Sequence, residues 1–424
     1  MTKSDKFWKE AFERYNIFDC ISKDGQFEIT AAQIKNLRAE PRLVTKFDNM
    51  SQLPKVFTEN KLAILPITRS SYIIAPLEVY AKFTEDIYSS NIKNMEFPEN
   101  IQSLNPNNIT SEAAAISCAY LSGILEDFIG DVELKPTVSG RMSSNEFSFD
   151  IADCKTNKKV ELNVIGSQLE IDGGYEGAES FTIIEAKNNI ADDFIVRQLY
   201  YPLRLWNKKI NKKIKTIFLV YTNNIFYLYE YEFKDVNDYN SLTLKKFQRY
   251  NLAKLDIAIS DIKDLIETTQ ITQEPNIPFP QADSFERVIN LCELLLNVGL
   301  SKQDITSNYG FDRRQTDYYV SAAKYLGLIE ESKDAVMLSE KAKKILSSNV
   351  HDKQLQFAKA IISHRVFKDV LIKYFESAKP LSKEEIVAIM KKCDLYKVAS
   401  PSTYNRRSST ISSWINWIIS LVNN

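Results

Sequence analysis

The chain has 424 residues, 44% of them hydrophobic and 26% charged, and is long enough for about two to four globular domains. Lys and Arg number 54 against 55 Asp and Glu, which gives a net charge of −1. From residue 281 onward, however, 21 basic residues face 16 acidic ones, a surplus that is compatible with a polyanionic partner. No apolar run reaches the roughly 20 residues of a membrane span, and the first residues do not form a signal peptide.

The cysteine and histidine content argues against two kinds of site, structural zinc and histidine-based catalysis. The five cysteines are scattered without C-x-x-C spacing, which argues against structural zinc and fits a reducing cytoplasm. The two histidines, His351 and His364, lie far along the chain from the candidate site, so histidine-based catalysis is not expected. The composition therefore predicts a cytoplasmic protein with no membrane partner.

Residues 1–108 are predicted to form an N-terminal accessory region, which ends near the Pro- and Asn-bearing stretch 97–110. It opens with an amphipathic helix whose apolar residues are Phe7, Trp8 and Phe12, and a strand pair follows at 62–76. Four basic residues have two interpretations, contact with a phosphate backbone or a solvated surface: Arg38, Arg42, Lys46 and Arg69.

Residues 109–270 are predicted to form a central mixed β-sheet flanked by helices. A helix at 111–131 begins at a Ser N-cap. The remaining predicted elements are strands at 146–153, 158–166, 168–172 and 180–187, a helix at 190–206, and a strand pair at 215–222 and 225–233. Strands, a crossover helix and further strands indicate an α/β or α+β domain, with a loose Gly-rich connection at 173–180.

The C-terminal third is predicted to be helical. Residues 282–350 show a helix, a short helix, a turn, a longer helix and a two-strand ending, which is the spacing of a winged helix, and residues 351–424 repeat the helical part. These modules could instead serve dimerisation or docking. The residues placed where a recognition helix meets DNA are Arg313, Arg314, Gln315 and Thr316 in the first module and Thr403, Asn405, Arg406 and Arg407 in the second.

Acidic and basic residues interrupt the two apolar segments at 168–187. Asp172 ends the first segment, whereas Glu185 and Lys187 share one face of the second because side chains alternate along a strand. Two carboxylates on neighbouring strands, with the carbonyl of Ala186, are hard oxygen ligands of the kind that Mg²⁺ prefers. Lys187 is placed to orient an attacking water or neutralise a developing oxyanion.

Other interpretations of this segment remain open at this level. Asp172 could be a turn residue, and Glu185 and Lys187 could be a solvated pair on an edge strand. The further candidates are Asp150 and Asp153 as alternative first carboxylates, Glu126 on the preceding helix, and Arg141 as a contact to phosphate or base.

The spacing I-D-(x12)-E-A-K resembles the active-site signature of the PD-(D/E)xK nuclease superfamily, with Ile171 where the motif has Pro. The resemblance implies that Asp172 and Glu185 bind magnesium and that Lys187 is catalytic. It also implies a role for Gln198, which is similar to a Gln on the following helix of some members, although Tyr comes two positions later instead of four. The order of domains is similar to that of type II restriction endonucleases.

That resemblance implies a sequence-specific, Mg²⁺-dependent endodeoxyribonuclease that cuts double-stranded DNA as a homodimer, with a cognate DNA methyltransferase protecting the host. A second hypothesis is a structure- or methylation-dependent nuclease in DNA repair or defence. A third is a non-catalytic winged-helix DNA-binding regulator. The expected architecture is an α/β (α+β) multidomain protein whose central mixed β-sheet core is flanked by helices and followed by helical winged-helix modules.

Overall fold

The computed structural model describes residues 3–83, 91–252, 256–308, 311, 313–333 and 335–422. Helices alternate with one large mixed sheet and several small ones, which confirms the predicted α+β multidomain fold class. Among the described helices, none combines the length and the apolar character that crossing a membrane requires.

The N-terminal region packs its helices against a small antiparallel sheet. Its elements are α1 (Lys3–Arg14), α2 (Ile17–Asp24), β1 (Phe27–Thr30), α3 (Ala31–Asn36), α4 (Pro41–Thr45), a 3-10 turn (Met50–Gln52), α5 (Lys55–Glu59), β2 (Ala63–Pro66) and β3 (Ser71–Ala75). The strand order is β1-β3-β2. Trp8 is fully buried and its indole N–H donates to the Val44 carbonyl at 2.7 Å, so α1 holds the segment after α3 in place. The predicted amphipathic helix and strand pair are confirmed.

A seven-stranded sheet forms the middle of the molecule. The elements of the middle region are β4 (Tyr80–Lys82), β5 (Ile92–Asn94), α6 (Glu112–Leu121), α7 (Ile124–Ile129), β6 (Lys135–Ser143), β7 (Phe147–Ala152), β8 (Lys159–Val164), β9 (Gln168–Glu176), β10 (Ser180–Lys187), β11 (Asp193–Ile195), α8 (Arg197–Trp206), β12 (Lys213–Thr222), β13 (Ile225–Phe233), a 3-10 turn (Tyr239–Ser241) and β14 (Leu242–Asn251). Strands β4 and β11 form one separate two-stranded sheet, and β7 and β8 form another. The order in the large sheet is β5-β14-β13-β12-β10-β9-β6.

The central strand β10 pairs antiparallel with β9 and parallel with β12, and α8 forms the crossover between β10 and β12. One face of the sheet packs against α8 through Phe181 and Ile183, and the other packs against α6 through Ile184 and Ala186. Because β10 has a neighbour on both sides, the interpretation of Glu185 and Lys187 as an edge-strand pair is wrong.

Several predicted bounds need correction. The helix predicted at 111–131 is two helices, because Gly123 adopts a left-handed conformation (φ 77°) between α6 and α7. The helix predicted at 190–206 begins only at Arg197, after the short strand β11. Strand β9 continues four residues beyond Asp172, so the first half of the predicted loose Gly-rich connection is strand, and residues 173–175 of it are buried. Strands β6 and β14 were not predicted.

The C-terminal third is helical and shares one hydrophobic core from Ile257 to Leu421. Its elements are α9 (Ile259–Thr268), α10 (Phe285–Leu294), α11 (Lys302–Asn308), α12 (Arg313–Tyr325), β15 (Ile329–Glu331), β16 (Val336–Leu338), α13 (Glu340–Ser347), α14 (Val350–Ile362), α15 (Arg365–Ser377), α16 (Lys383–Met390) and α17 (Pro401–Ser420). Helices α10, α11 and α12 followed by the antiparallel β15–β16 hairpin have the order of a helix-turn-helix with a wing. The described part of 351–424 contains helices only.

We predict that Gly174→Ala lowers the free energy of unfolding by about 1–3 kcal/mol, because the added methyl group overpacks β9 against β6. A Cβ at this position would lie 2.9 Å from Val138 Cβ and 3.0 Å from the Val138 carbonyl oxygen. Urea denaturation measures the change. Gln168→Ala, on the exposed start of the same strand, is the control and should change the unfolding free energy by less than about 0.5 kcal/mol. Equal stability of the two variants would contradict the packing described.

Candidate active site

Asp172 lies at an irregularity of β9 that turns its side chain towards β10. On β6 the step from Val138 to Gly140 spans two residues, whereas the paired step on β9, from Gly174 to Ile171, spans three. Strand β9 therefore carries an extra residue, the mark of a β-bulge, and bulges commonly redirect a side chain beside a functional site.

The ladder between β9 and β10 ends at the pair Gly173–Ile184, so that Asp172 and Glu185 are the next residues on the two strands. Beyond that pair, Asp172 Oδ2 accepts a hydrogen bond from the Ala186 backbone N–H at 2.9 Å. The Asp172 carboxylate thus accepts the hydrogen bond that a backbone carbonyl would accept in a regular strand pair. Both acids predicted from the sequence are consequently held at the same point of the sheet, and Asp172 is not a turn residue.

Glu185 is the most enclosed of these acids, with 6% of its surface exposed. Its Oε1 accepts hydrogen bonds from Lys187 Nζ and from Gln198 Nε2, the latter on the first turn of α8. Lys187 Nζ also donates to the Ala186 carbonyl at 3.2 Å. The structure thus brings together Asp172, Glu185, Lys187 and Gln198 as the sequence predicted, and Gln198 holds the carboxylate of Glu185 in place.

Burial and nearby charges set the protonation of this cluster. Burial raises the pKa of Glu185 to about 7, with Lys187 opposing the rise and Asp172 adding to it. Burial alone would lower the pKa of Lys187, but the negative charges of Glu185 and Asp48 outweigh it and raise that pKa above its ordinary value. The ammonium group of Lys187 is therefore charged at neutral pH.

Glu112 is a further acid near the cluster, as Asp48 is, whereas Glu126 does not lie there. Glu112 is the first residue of α6, next to the N-cap Ser111, and its side chain lines the same cleft as Asp172. Burial raises the pKa of Glu112, and the charges of Lys187 and Asp172 also act on it. Glu126 lies on α7 beyond the Gly123 break, and it is exposed and outside the cleft. Of the two glutamates, only Glu112 is therefore placed to act on the cluster.

The acidic cluster lies in a cleft with a volume of about 410 Å³. The basic residues that line it are Arg42, Lys46, Arg69, Arg141 and Arg197. A second cavity of about 470 Å³ adjoins the first through Lys46, Glu112 and Lys187 and reaches the C-terminal region at Glu293 and Lys353. All three regions of the chain therefore border the candidate site.

The donor set fits a hard divalent cation. Asp172, Glu185 and the carbonyl of Ala186 offer oxygen atoms, and Mg²⁺ is commonly bound by one or two carboxylates with waters and substrate phosphates. Among the described residues there is no cluster of three or more His, Cys, Asp or Glu side chains that could enclose a metal by themselves. Two polar atoms beside the cluster, Gln198 Oε1 and Asp48 Oδ1, are buried without a hydrogen-bond partner in the described structure.

The C-terminal region holds the segment that follows Lys187. Asn290 on α10 is fully buried, and its Nδ2 donates to the Asn188 carbonyl at 2.9 Å and to Thr222 Oγ1 at 3.0 Å. Its Oδ1 accepts from the backbone N–H of Ile190 at 3.4 Å. The helix-turn-helix is therefore bonded directly to the chain beyond the candidate catalytic lysine.

Of the residues predicted to contact DNA in the C-terminal modules, some are exposed and others contact neighbouring parts of the protein. Arg313, Asn405 and Arg406 are exposed, as is Arg314, whose Nε donates to Tyr318 Oη at 2.6 Å. Arg407 is half-buried, and burial lowers its pKa.

Gln315 donates to Asp192 of the middle region at 2.9 Å, and Thr316 is buried against Thr306, so neither is presented to DNA here.

Of the further candidates for the site, only Arg141 lies in the cleft. Asp150 and Asp153 are on the β7–β8 hairpin outside the cleft, and Asp153 Oδ1 accepts the N–H groups of Lys155 and Thr156 within a turn. Arg141 lines the cleft and forms an ion pair with Glu170 at 3.3 Å.

Three family models match the chain, and each is described as a domain of unknown function: DUF6996 over residues 5–74, DUF6997 over 75–251 and DUF7226 over 287–423. The candidate cluster from Asp172 to Gln198 falls within the second match. No curated protein and no solved structure matches the chain.

We predict that Glu185→Gln flattens the pH dependence of stability in metal-free buffer. Because the pKa of Glu185 is raised from 4.5 to about 7, its carboxyl group contributes stability that is fully present below pH 4.5 and is lost as pH rises through about 7. The wild type should therefore lose up to about 3 kcal/mol relative to the variant over this window. Urea denaturation at a series of pH values in EDTA measures it.

Glu126→Gln is the matched control for that experiment, since it removes an exposed carboxylate, and its profile should follow the wild type. A constant difference between wild type and Glu185→Gln from pH 4.5 to 7.5 would show that Glu185 is not the enclosed acid described here.

Proposed function

We propose that the chain is a divalent-metal-dependent endodeoxyribonuclease that hydrolyses phosphodiester bonds of double-stranded DNA. The observation that carries the proposal is the meeting of Asp172 and Glu185 at the end of the β9–β10 ladder, with Lys187 bonded to Glu185, inside a cleft lined by basic residues. This is the arrangement that the resemblance to PD-(D/E)xK nucleases implies. The proposed cofactor is Mg²⁺.

Each residue of the candidate site would have a separate role in this reaction. Asp172, Glu185 and the Ala186 carbonyl would hold Mg²⁺, which when bound supplies charge neutralisation at phosphate and a more acidic water. Lys187 is cationic and partly enclosed, so it can stabilise negative charge that develops on the scissile phosphate. Gln198 orients the Glu185 carboxylate through its amide N–H, which keeps the oxygen ligands in one geometry.

The C-terminal region supports cleavage at a specific sequence. A helix-turn-helix with a wing is a common reader of DNA, and Arg313 and Arg314 are exposed at the start of α12. The specific form of the proposal is a type II restriction endonuclease that acts in the cytoplasm, alongside a cognate DNA methyltransferase, and cuts both strands as a homodimer. In the described structure the five cysteines are all free, in keeping with that compartment.

Two other functions would give different products in one assay. Unmethylated phage DNA incubated with the chain and Mg²⁺ should yield discrete bands if the enzyme is sequence-specific. Cleavage that follows DNA structure or methylation would support the repair or defence nuclease instead. A gel shift without cleavage would support the non-catalytic regulator, although the assembled acids and lysine favour a catalyst.

We predict that Asp172→Asn, Glu185→Gln and Lys187→Met each slow DNA cleavage by about 100-fold or more, because each removes an oxygen ligand or the cation at the reacting phosphate. Single-turnover cleavage with saturating enzyme measures the rate, and anisotropy in Ca²⁺ measures DNA binding. Binding should stay within a few-fold of wild type. Cleavage at the wild-type rate by any of the three would contradict the site assignment.

The paired variants Glu112→Gln and Glu126→Gln test which of these two acids contributes to DNA cleavage. Glu112→Gln should slow cleavage by about 10-fold, since Glu112 lines the cleft and interacts electrostatically with Lys187. Glu126→Gln should cleave at the wild-type rate because Glu126 is exposed on α7, outside the cleft. The reverse result would restore the original prediction for Glu126.

A further inference from the structure

The N-terminal region supplies part of the wall of the catalytic cleft. Arg42 is on α4, Lys46 follows that helix, and Arg69 is in the turn between β2 and β3, yet all three line the cleft that contains Asp172. They are separated along the chain and are brought together only by the fold.

The main chain that presents these residues is anchored to the middle region at several points. The Ile195 N–H donates to the Asp48 carbonyl at 2.8 Å, and the Met50 N–H donates to Asp193 Oδ1 at 2.8 Å. On the other side, the Ile165 N–H donates to the Ile67 carbonyl at 2.8 Å, next to the turn that carries Arg69. The basic residues are therefore fixed relative to β9 and β10.

The charges on this wall are incompletely balanced. Within the described part of the chain, neither Arg42 nor Arg69 forms an ion pair, and Lys46 has a long one with Asp48 at 3.6 Å. Both arginines are exposed, so their guanidinium groups can reach a ligand in the cleft.

The middle region also contributes cations to the cleft. Arg141 on β6 and Arg197 at the start of α8 line the same cleft. Arg197 Nε is buried and has no hydrogen-bond partner among the described residues, although the guanidinium lies 5.8 Å from the ring of Tyr201. Cations from both regions line a cleft that also holds the acids, which matches a polyanion that binds in the cleft and presents one phosphate to the acids through a metal.

We propose that the N-terminal region is a phosphate-backbone clamp, in which Arg42, Lys46 and Arg69 bind the DNA strand beside the scissile bond. The inference rests on the proposed function for the identity of the polyanion. Contacts to phosphate position a duplex without reading its sequence, so this wall sets the placement of the bond to be cut, and base recognition falls to other surfaces. The region would then be part of the catalytic unit.

The test is a salt titration of DNA binding in EDTA, where cleavage cannot contribute. Fluorescence anisotropy with a labelled duplex is measured for wild type, for Arg42→Ala with Arg69→Ala, and for Arg38→Ala. Each lost phosphate contact reduces the slope of log K against log salt by about 0.9, so the double variant should lose about 2 in slope and bind more weakly at every salt concentration. Arg38 is exposed in the same region and outside the cleft, so Arg38→Ala should match wild type.

The outcomes separate this inference from the proposed function. If wild type cuts DNA with Mg²⁺ and the double variant keeps wild-type affinity and slope, the clamp is wrong and the nuclease stands. If wild type binds the duplex through these arginines but never cuts, the phosphate contacts stand, and the nuclease and the placement of a scissile bond fail. Equal losses in Arg38→Ala, or no duplex binding by wild type, would also overturn the clamp. Thermal unfolding of each variant establishes that a loss reflects binding and not misfolding.

Discussion

The hydrogen bond from the Ala186 amide to the Asp172 carboxylate joins the two strands on which the candidate site depends. It lies where the backbone ladder between β9 and β10 ends and where β9 carries its extra residue. Because that bond fixes Asp172 beside Glu185, two acids that are thirteen positions apart occupy one point of a central sheet. Lys187 lies two residues after Glu185 and is therefore on the same face of β10.

Electrostatic balance explains how such a cluster can exist in a folded chain. A buried carboxylate without a partner would be costly, and Lys187 and the amide of Gln198 share the Glu185 oxygen between them. The raised pKa of Glu185 indicates that this compensation is incomplete. A divalent cation would complete it, and a phosphate would in turn neutralise the cations around the cleft. The proposed metal would thus offset the excess negative charge, and the proposed substrate the excess positive charge.

The sequence was most informative where local pattern and final structure agree. Strand β10 was predicted with the bounds it has, since an apolar run flanked by turn residues leaves little choice, and the winged-helix order followed from helical periodicity. Strand β6 was missed because most of its residues are exposed and only Val138 and Met142 mark its inward face. Glu112 was not predicted, because its place near Lys187 depends on how α6 packs on the sheet, and Glu126 lies on α7 beyond the break at Gly123. The Arg42–Arg69 wall depends on contacts between distant segments, which no local pattern contains.

The most direct test of the account is to locate the metal itself. With Fe²⁺ in place of Mg²⁺ and ascorbate with peroxide as the radical source, a bound iron cleaves the polypeptide close to its own position. Mass spectrometry of the fragments should map the cuts around residues 172 and 185–187 in the wild-type chain, and excess Mg²⁺ or Asp172→Asn should abolish them. Cuts at other positions, or cuts at these positions that persist unchanged in Asp172→Asn, would contradict a metal held between β9 and β10.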